Sequence, residues 1–285
     1  ISEKAGFGMA LCLGAVVSGA MFGDNLSFIS DTTIAATSTQ GCKLSDKFRV
    51  NAFITIPPAI VILALYAVLG HGIEAPGNIP EVQYAKVIPY IVVLVTALLG
   101  MNVMAVLTVG IMLTGAIGIA DGAFDVFGWM QSMGKGIADM GELIIITMMA
   151  GGMLELIKEK GGIDCIINGI TRHVNGKRGA ELSIAALVSL VNVCTANNTV
   201  AIITVGGIAK RIGDRFGIDS RKSASILDTM SCCTQGLIPY GAQILMGAGL
   251  ASINPVSIMP YLYYPAAIGI AAVLAILFRY PRRFS

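Results

Sequence analysis

The sequence predicts an all-α polytopic membrane protein with broken helices and a re-entrant hairpin, on three observations. Of its 285 residues 55% are hydrophobic and 13% charged, and the mean hydropathy is +0.78. A soluble domain carries about 25% charged residues, so the composition is that of a membrane protein. Three of the long apolar runs are interrupted by polar residues in mid-run, and the basic residues gather at a few places only. The net charge of +2 is too small to point to nucleic acid.

Taken in order, the first apolar segment runs from Ala5 to Thr39 and is expected to break at Gly23–Ser27. The second, Val50–Leu69, should kink at Pro57-Pro58, because proline removes a helical donor and clashes with the preceding turn. Val87–Ala120 is too long for one straight crossing and splits at Gly100-Met101-Asn102. Phe124, Phe127, Met130, Met133 and Ile137 recur at helical spacing beside the single tryptophan, Trp129. This is the pattern of an interfacial amphipathic helix or of a packed surface helix. A fifth segment covers Glu142–Ile157. Leu182–Ala209 is broken by Thr195-Ala196-Asn197-Asn198-Thr199, and Lys222–Ala251 by Thr234-Gln235-Gly236-Leu237-Ile238-Pro239. Val256–Phe278 reads as an uninterrupted last helix. The six cysteines show no metal-binding spacing and read as small packing residues. His71 and His173 fall in connecting segments.

Lysine and arginine mark the cytoplasmic ends. They cluster at Lys43/Lys47/Arg49, at Lys158 to Arg178, at Lys210 to Lys222 and at Arg279 to Arg283. Counting crossings places every cluster on one side only if Leu182–Ala209 enters and leaves through the same face. That segment is therefore a hairpin with its tip at Thr195–Thr199. Broken helix followed by straight helix (residues 1–69) then mirrors the hairpin, broken helix and straight helix that close residues 70–285. The first repeat would need its own hairpin ahead of Ile1, so we expect the start of that repeat to precede this chain. Inverted repeats of this kind build secondary transporters, with the site at their shared midplane.

The chemistry belongs to the breaks. A broken membrane helix exposes backbone groups that lipid cannot satisfy, so it persists where protein, water or ions supply partners. Freed carbonyls and hydroxyls are hard oxygen ligands for an alkali cation, and a carboxylate beside them binds either that cation or a proton. The candidate residues are Asp24, Asn25, Ser27, Ser30, Asp31, Thr32 and Thr33 at the first break. The hairpin tip adds Thr195, Asn197, Asn198 and Thr199, and the last break adds Asp228, Ser231, Thr234 and Gln235. Asp31, set among Ser30, Thr32 and Thr33, is the first choice for the Na+ site and proton carrier. Asp24, on the other side of the break, is the second candidate, as a cation ligand or as a cap on a half-helix. Asp228 lies six residues past Lys222, within reach of the water boundary. No Lys or Arg is expected inside a membrane segment, which favours an inorganic cation over an organic anion.

At these residues a resemblance becomes specific. Phe22-Gly23-Asp24-Asn25-Leu26-Ser27 followed by Ser30-Asp31-Thr32-Thr33 resembles the GDxxSPxSDTT signature of the NhaC-type Na+/H+ antiporter family, with Phe28 in place of the usual proline. Ile226-Leu227-Asp228-Thr229 through Leu237-Ile238-Pro239-Tyr240 is similar to that family's ILEDSGT…LIPW segment. Here one acidic residue stands for two, and Tyr240 for tryptophan. The match runs over most of the chain and aligns it with the C-terminal two-thirds of a member. The resemblance implies a secondary exchanger of Na+ for H+ in the bacterial cytoplasmic membrane, with paired hairpins and broken helices.

The expected partners are therefore Na+, H+ and membrane lipid; a homodimer is compatible with the sequence, and no cofactor is expected. An alternative within the same resemblance is Na+- or H+-coupled exchange of a small organic acid of the malate/lactate type. An enzyme is not expected. The nearest enzymatic reading, an intramembrane aspartyl protease, would need YD, GxGD and PAL motifs around its aspartates, and these are absent.

Overall fold

The computed structural model describes residues 8–27, 30–71, 84–99, 101–139 and 176–281, with scattered positions between 141 and 165. Among the described residues there are helices and no strands. They form two compact units, residues 75–142 and the remainder of the chain.

In the smaller unit, α4 (Ile88–Leu98) and α5 (Val103–Ala120) flank the expected split, and Asn102 caps α5 by accepting from the Met104 amide at 2.9 Å. The next helix, α6 (Val126–Asp139), turns Trp129 onto α5 at Gly115, with Phe124, just ahead of it, on Gly118. Phe127, Met130 and Ile137 stay exposed, so the helix is packed on one side and apolar on the other.

The larger unit opens with α1 (Met9–Leu26) and α2 (Asp31–Gln40). Gly23 to Leu26 are helical, so the break falls at Ser27–Ser30, later than expected. The Ser27 hydroxyl accepts the Ser30 amide across it at 3.2 Å. The third helix, α3, runs Leu44–Leu69 without interruption through Pro57 and Pro58. Its start lies six residues before the expected Val50, which draws Lys47 out of the connecting loop and into the fold. The hairpin is present: α7 (Gly176–Thr195) and α8 (Asn198–Phe216) pack together around a turn at Ala196–Asn197. Asn197 caps α8 through the Val200 amide at 3.0 Å.

Helix α9 (Ser220–Gln235) breaks at Gly236–Gly241 before α10 (Ala242–Ala251). The last segment is not one helix. A short α11 (Pro255–Ile258) and a 3-10 turn at Met259–Tyr261 precede α12 (Tyr263–Leu277). Pro265 explains the interruption, since it cannot donate to the Tyr261 carbonyl one turn back. That carbonyl instead accepts the Tyr66 hydroxyl at 2.5 Å, and Gly14 lets α1 approach it closely. The fifth segment, Glu142–Ile157, and His173 lie largely or wholly outside the described residues.

Three stretches are long and apolar enough to cross a membrane, Met9–Gln40 with its break, Leu44–Leu69 and Gly176–Thr195, and the pair at Ala242–Tyr261, bent by 102°, makes a fourth candidate among the described residues. The chain is a multi-pass membrane protein. Two apolar cores fill the larger unit, one under the hairpin and α2, the other between α1, α3 and α12. Helix α9 contributes to both, and 12 of its 16 residues are buried. Lys222, expected at a basic surface, is among them. Its ammonium donates to the Ala275 carbonyl at 3.4 Å and to the Tyr280 carbonyl, closing the end of α12.

Close approach of α2 to α8 rests on Gly206, where a Cβ would stand 2.5 Å from that of Thr39. We predict that Gly206→Leu destabilises the protein by about 1–3 kcal/mol. Gly207→Ala, facing open space, should leave the unfolding temperature unchanged or raise it slightly. Thermal unfolding in detergent compares the two.

Candidate functional site

The centre of the larger unit holds a buried ion pair. Lys47 Nζ lies 2.6 Å from Asp228 Oδ2, with both side chains at 1% exposure or less. Lys47 is in the first turns of α3, and Asp228 is in the middle of α9. The ammonium has three protons and three partners: Asp228, the Thr33 hydroxyl at 2.7 Å and the Asn25 carbonyl at 3.3 Å. Asn51, one turn after Lys47, donates through Nδ2 to Asp228 Oδ2 at 2.7 Å and to the same Asn25 carbonyl at 2.9 Å.

The local sequence explains this convergence. Asn25 is in the last turn of α1, where carbonyls lose their intrahelical donors. The break after Leu26 therefore presents a free carbonyl to two buried side chains of α3. Thr33, in the first turn of α2, supplies its hydroxyl from the far side of the break. Asn25 also holds itself in place, with Nδ2 donating to the Met21 carbonyl at 3.1 Å and to the Tyr264 hydroxyl at 3.4 Å.

Around this pair the structure gathers all three polar stretches singled out in the sequence. Asp24 is half-buried and accepts from the Ser30 hydroxyl at 3.4 Å, while Ser30 shares a 2.8 Å hydrogen bond with Thr32. Asp31 is exposed. Its Oδ1 accepts the Thr32 amide at 2.9 Å, and Oδ2 accepts the Thr199 hydroxyl of the hairpin tip at 2.6 Å. On the other side of the tip, Gln235 donates to the Ala196 carbonyl at 2.8 Å. The tip thus bridges both breaks. Asn198 Oδ1 accepts the Thr199 amide, and the Thr195 hydroxyl donates to the Asn197 carbonyl at 3.0 Å. Ser231 and Thr234 instead bond back to their own helix, at the Asp228 and Met230 carbonyls.

Two expectations change. Asp228 is fully buried rather than near water, and a lysine does stand inside the membrane-spanning part of the fold. Sequence reasoning also passed over Lys47, Asn51, Tyr264 and Asn192, whose Nδ2 ties the hairpin to the Ser231 carbonyl at 2.7 Å. A signal was present for the first two. Lys47, Asn51 and Thr55 recur every four residues, a polar stripe on one helix face running into an apolar helix. Beyond the site, at the start of α9, the Arg221 guanidinium beside Asp219 holds that carboxyl below its usual range.

Removing one member of a buried pair leaves an uncompensated charge, which costs about 3–5 kcal/mol. Lys47→Met alone should therefore lower the thermal unfolding temperature strongly. Lys47→Met combined with Asp228→Leu should recover most of that loss, a non-additivity that a double-mutant cycle in detergent measures directly.

The sequence itself carries the lineage. Residues 79–281, which include the hairpin and Asp228, match the model of the Na+/H+ antiporter family. The chain is 26% identical to the Na+/H+ antiporter NhaC of Alkalihalophilus pseudofirmus, over 98% of this chain and 67% of that protein. It is 23% identical to the malate-2H+/Na+-lactate antiporter of Bacillus subtilis, over 100% of this chain and 67% of the relative. It is also 23% identical to the arginine/ornithine antiporter ArcD of Halobacterium salinarum, over 92% of this chain and 61% of the relative. It spans about two-thirds of the length of these relatives, and its family is that of the Na+/H+ antiporters.

Proposed function

We propose that the protein exchanges Na+ for H+ across the bacterial cytoplasmic membrane by alternating access, with Asp228 as the carboxylate at which the two ions compete. The observation that carries this reading is the buried Lys47–Asp228 pair held at a helix break. Na+ arriving at Asp228 sets a second cation beside the Lys47 ammonium in a dry site. Repulsion there is strong, and it is relieved when Lys47 gives up one proton. Departure of Na+ restores the proton and the pair. One carboxylate therefore holds Na+ or supports the protonated lysine, but not both. Asp24 and Asp31 extend the negative field toward the exposed edge of the break. Asp31, through Thr199, holds the hairpin tip in place rather than carrying the proton.

The chain order supports an inverted repeat, with residues 1–69 ending the first copy and residues 70–285 holding the second. In this arrangement the hairpin returns to the cytoplasmic face, and the exposed apolar side chains of α3, such as Ile60 and Leu63, meet lipid.

Exchange of an organic acid is the second reading, favoured by the malate/lactate and arginine/ornithine relatives and by the buried lysine. Against it, all three Lys47 donors are committed to partners within the protein. None remains to bind a carboxylate substrate.

In proteoliposomes holding the full-length protein and a pH-sensitive dye, Asp228→Asn should abolish Na+-driven proton movement, because a neutral amide supplies no charge to hold Na+ or to keep Lys47 protonated. Asp31→Asn should retain exchange with altered turnover. Normal exchange by Asp228→Asn would sink the assignment, and loss in Asp31→Asn alone would return the carrier role to Asp31. Malate or arginine added in place of Na+ tests the second reading: proton movement driven by either would support it.

A further inference from the structure

Three oxygens around the Lys47–Asp228 pair, Asn25 Oδ1, Asn51 Oδ1 and Asp228 Oδ1, and a fourth, Thr55 Oγ1, one turn beyond Asn51 along α3, are buried without a hydrogen-bond partner. All four residues are at 0% exposure. A buried polar atom left unpaired is costly, and native structures hold few of them. Three belong to one hydrogen-bonded network and the fourth lies one turn from it along α3; spread over three helices, they need a common cause.

The orientation of the two amides is fixed by their other halves. Asn51 Nδ2 faces a carboxylate and a carbonyl, so turning the amide over would set oxygen against two acceptors. Asn25 Nδ2 faces the Met21 carbonyl, which fixes it equally. Both Oδ1 atoms are therefore bare acceptors, as is Asp228 Oδ1.

Thr55 departs from the behaviour of its neighbours. Thr37, Thr96, Thr108, Thr114, Thr229 and Thr234 each donate to the carbonyl four residues back, the usual resting place of a helical threonine. Thr55 does not. It lies one turn beyond Asn51 on the face of α3 that carries Lys47 and Asn51. In the same turn, Pro58 deprives the Ile54 carbonyl of its helical donor, which adds a backbone acceptor to that stretch of α3.

What satisfies such a set must act as a donor toward several acceptors at once. Lys47 cannot, since its protons are spent. A water has two hydrogens for the three bare acceptors and brings no charge to set against the carboxylate. A small, hard cation meets all of them together, and the carboxylate supplies the balancing charge. We infer that the transported Na+ is seated by Asn51 Oδ1 and Thr55 Oγ1 of α3 together with Asn25 Oδ1 and Asp228 Oδ1, on the side of the carboxylate away from Lys47. This deepens the exchange reading above and rests on it. It assigns α3 as a ligand-bearing helix, not only a support for the lysine.

The test is Na+ binding to the full-length protein by calorimetry, with Na+-driven proton movement measured in parallel. Thr55→Val keeps the shape and removes the ligand, so the Na+ dissociation constant should rise about tenfold. Thr55→Ser, which restores the hydroxyl, should bind within about threefold of the parent. If Thr55→Val does not fold, Thr55→Ala removes the same oxygen with less demand on packing and should show the same loss. Parent-like Na+ affinity in a folded hydroxyl-free variant would overturn the seat while leaving the exchange reading intact. Absence of both Na+ binding and Na+-driven proton movement in the parent would overturn the exchange reading itself.

Discussion

The structure depends on one carbonyl. Asn25 ends a helix inside the larger unit, and its freed C=O takes hydrogen bonds from Lys47 and Asn51. These two side chains then hold Asp228 of α9. A buried charge pair repays the cost of desolvation only when its remaining donors and acceptors are also met. Here the break meets them on the lysine side: the Asn25 carbonyl from one half-helix, the Thr33 hydroxyl from the other. Break, lysine and aspartate therefore stand or fall together, and α1, α2, α3 and α9 are fixed to one another through a polar centre.

Helix α9 shows the same logic at the level of a whole element. A membrane helix buried on every side would ordinarily be apolar throughout. This one carries Lys222, Ser225, Asp228, Thr229, Ser231 and Gln235 in its interior. Each end has its own use: Lys222 closes the C-terminus of α12, and Gln235 reaches the hairpin tip. The middle is left for the ion pair. Burial of so polar a helix is possible because its neighbours supply partners at matching heights, among them Asn192 of the hairpin and Asn51 of α3.

Much of this was legible in the residues. Polar interruptions in apolar runs located the breaks to within a few positions, because carboxylates and hydroxyls in hydrocarbon need a structural reason. Charge clustering gave the hairpin, since Lys210 and Lys177 had to share a side. Lys47 misled for an instructive reason: counted with Lys43 and Arg49 it looks like an ordinary basic loop. The period of four through Asn51 and Thr55 is the stronger signal, but it is visible only once α3 is started before Val50. The partner of Lys47 was beyond sequence reasoning. Asp228 is 181 residues away, and neither local propensity nor periodicity specifies a contact across that distance. The interruption before α12 was legible in principle, since Pro265 forbids the bond to Tyr261, but an apolar run masks it.

Among the described residues, the hairpin tip meets the first break through the Thr199 hydroxyl on Asp31 and the second through Gln235 on the Ala196 carbonyl, with the Tyr240 hydroxyl on the Val193 carbonyl one turn away. A neutral bond contributes about 0.5–1.5 kcal/mol net and one to a carboxylate about 1.5–3 kcal/mol, so releasing the tip from Asp31 and Gln235 forfeits about 2–4.5 kcal/mol. An imbalance of that size leaves the released form at about 0.05–3% of molecules. The tip is thus a weak latch over a strong centre. Its grip is slight enough for thermal motion to undo, while the charge pair beneath it is tied to α1, α2, α3 and α9 at once.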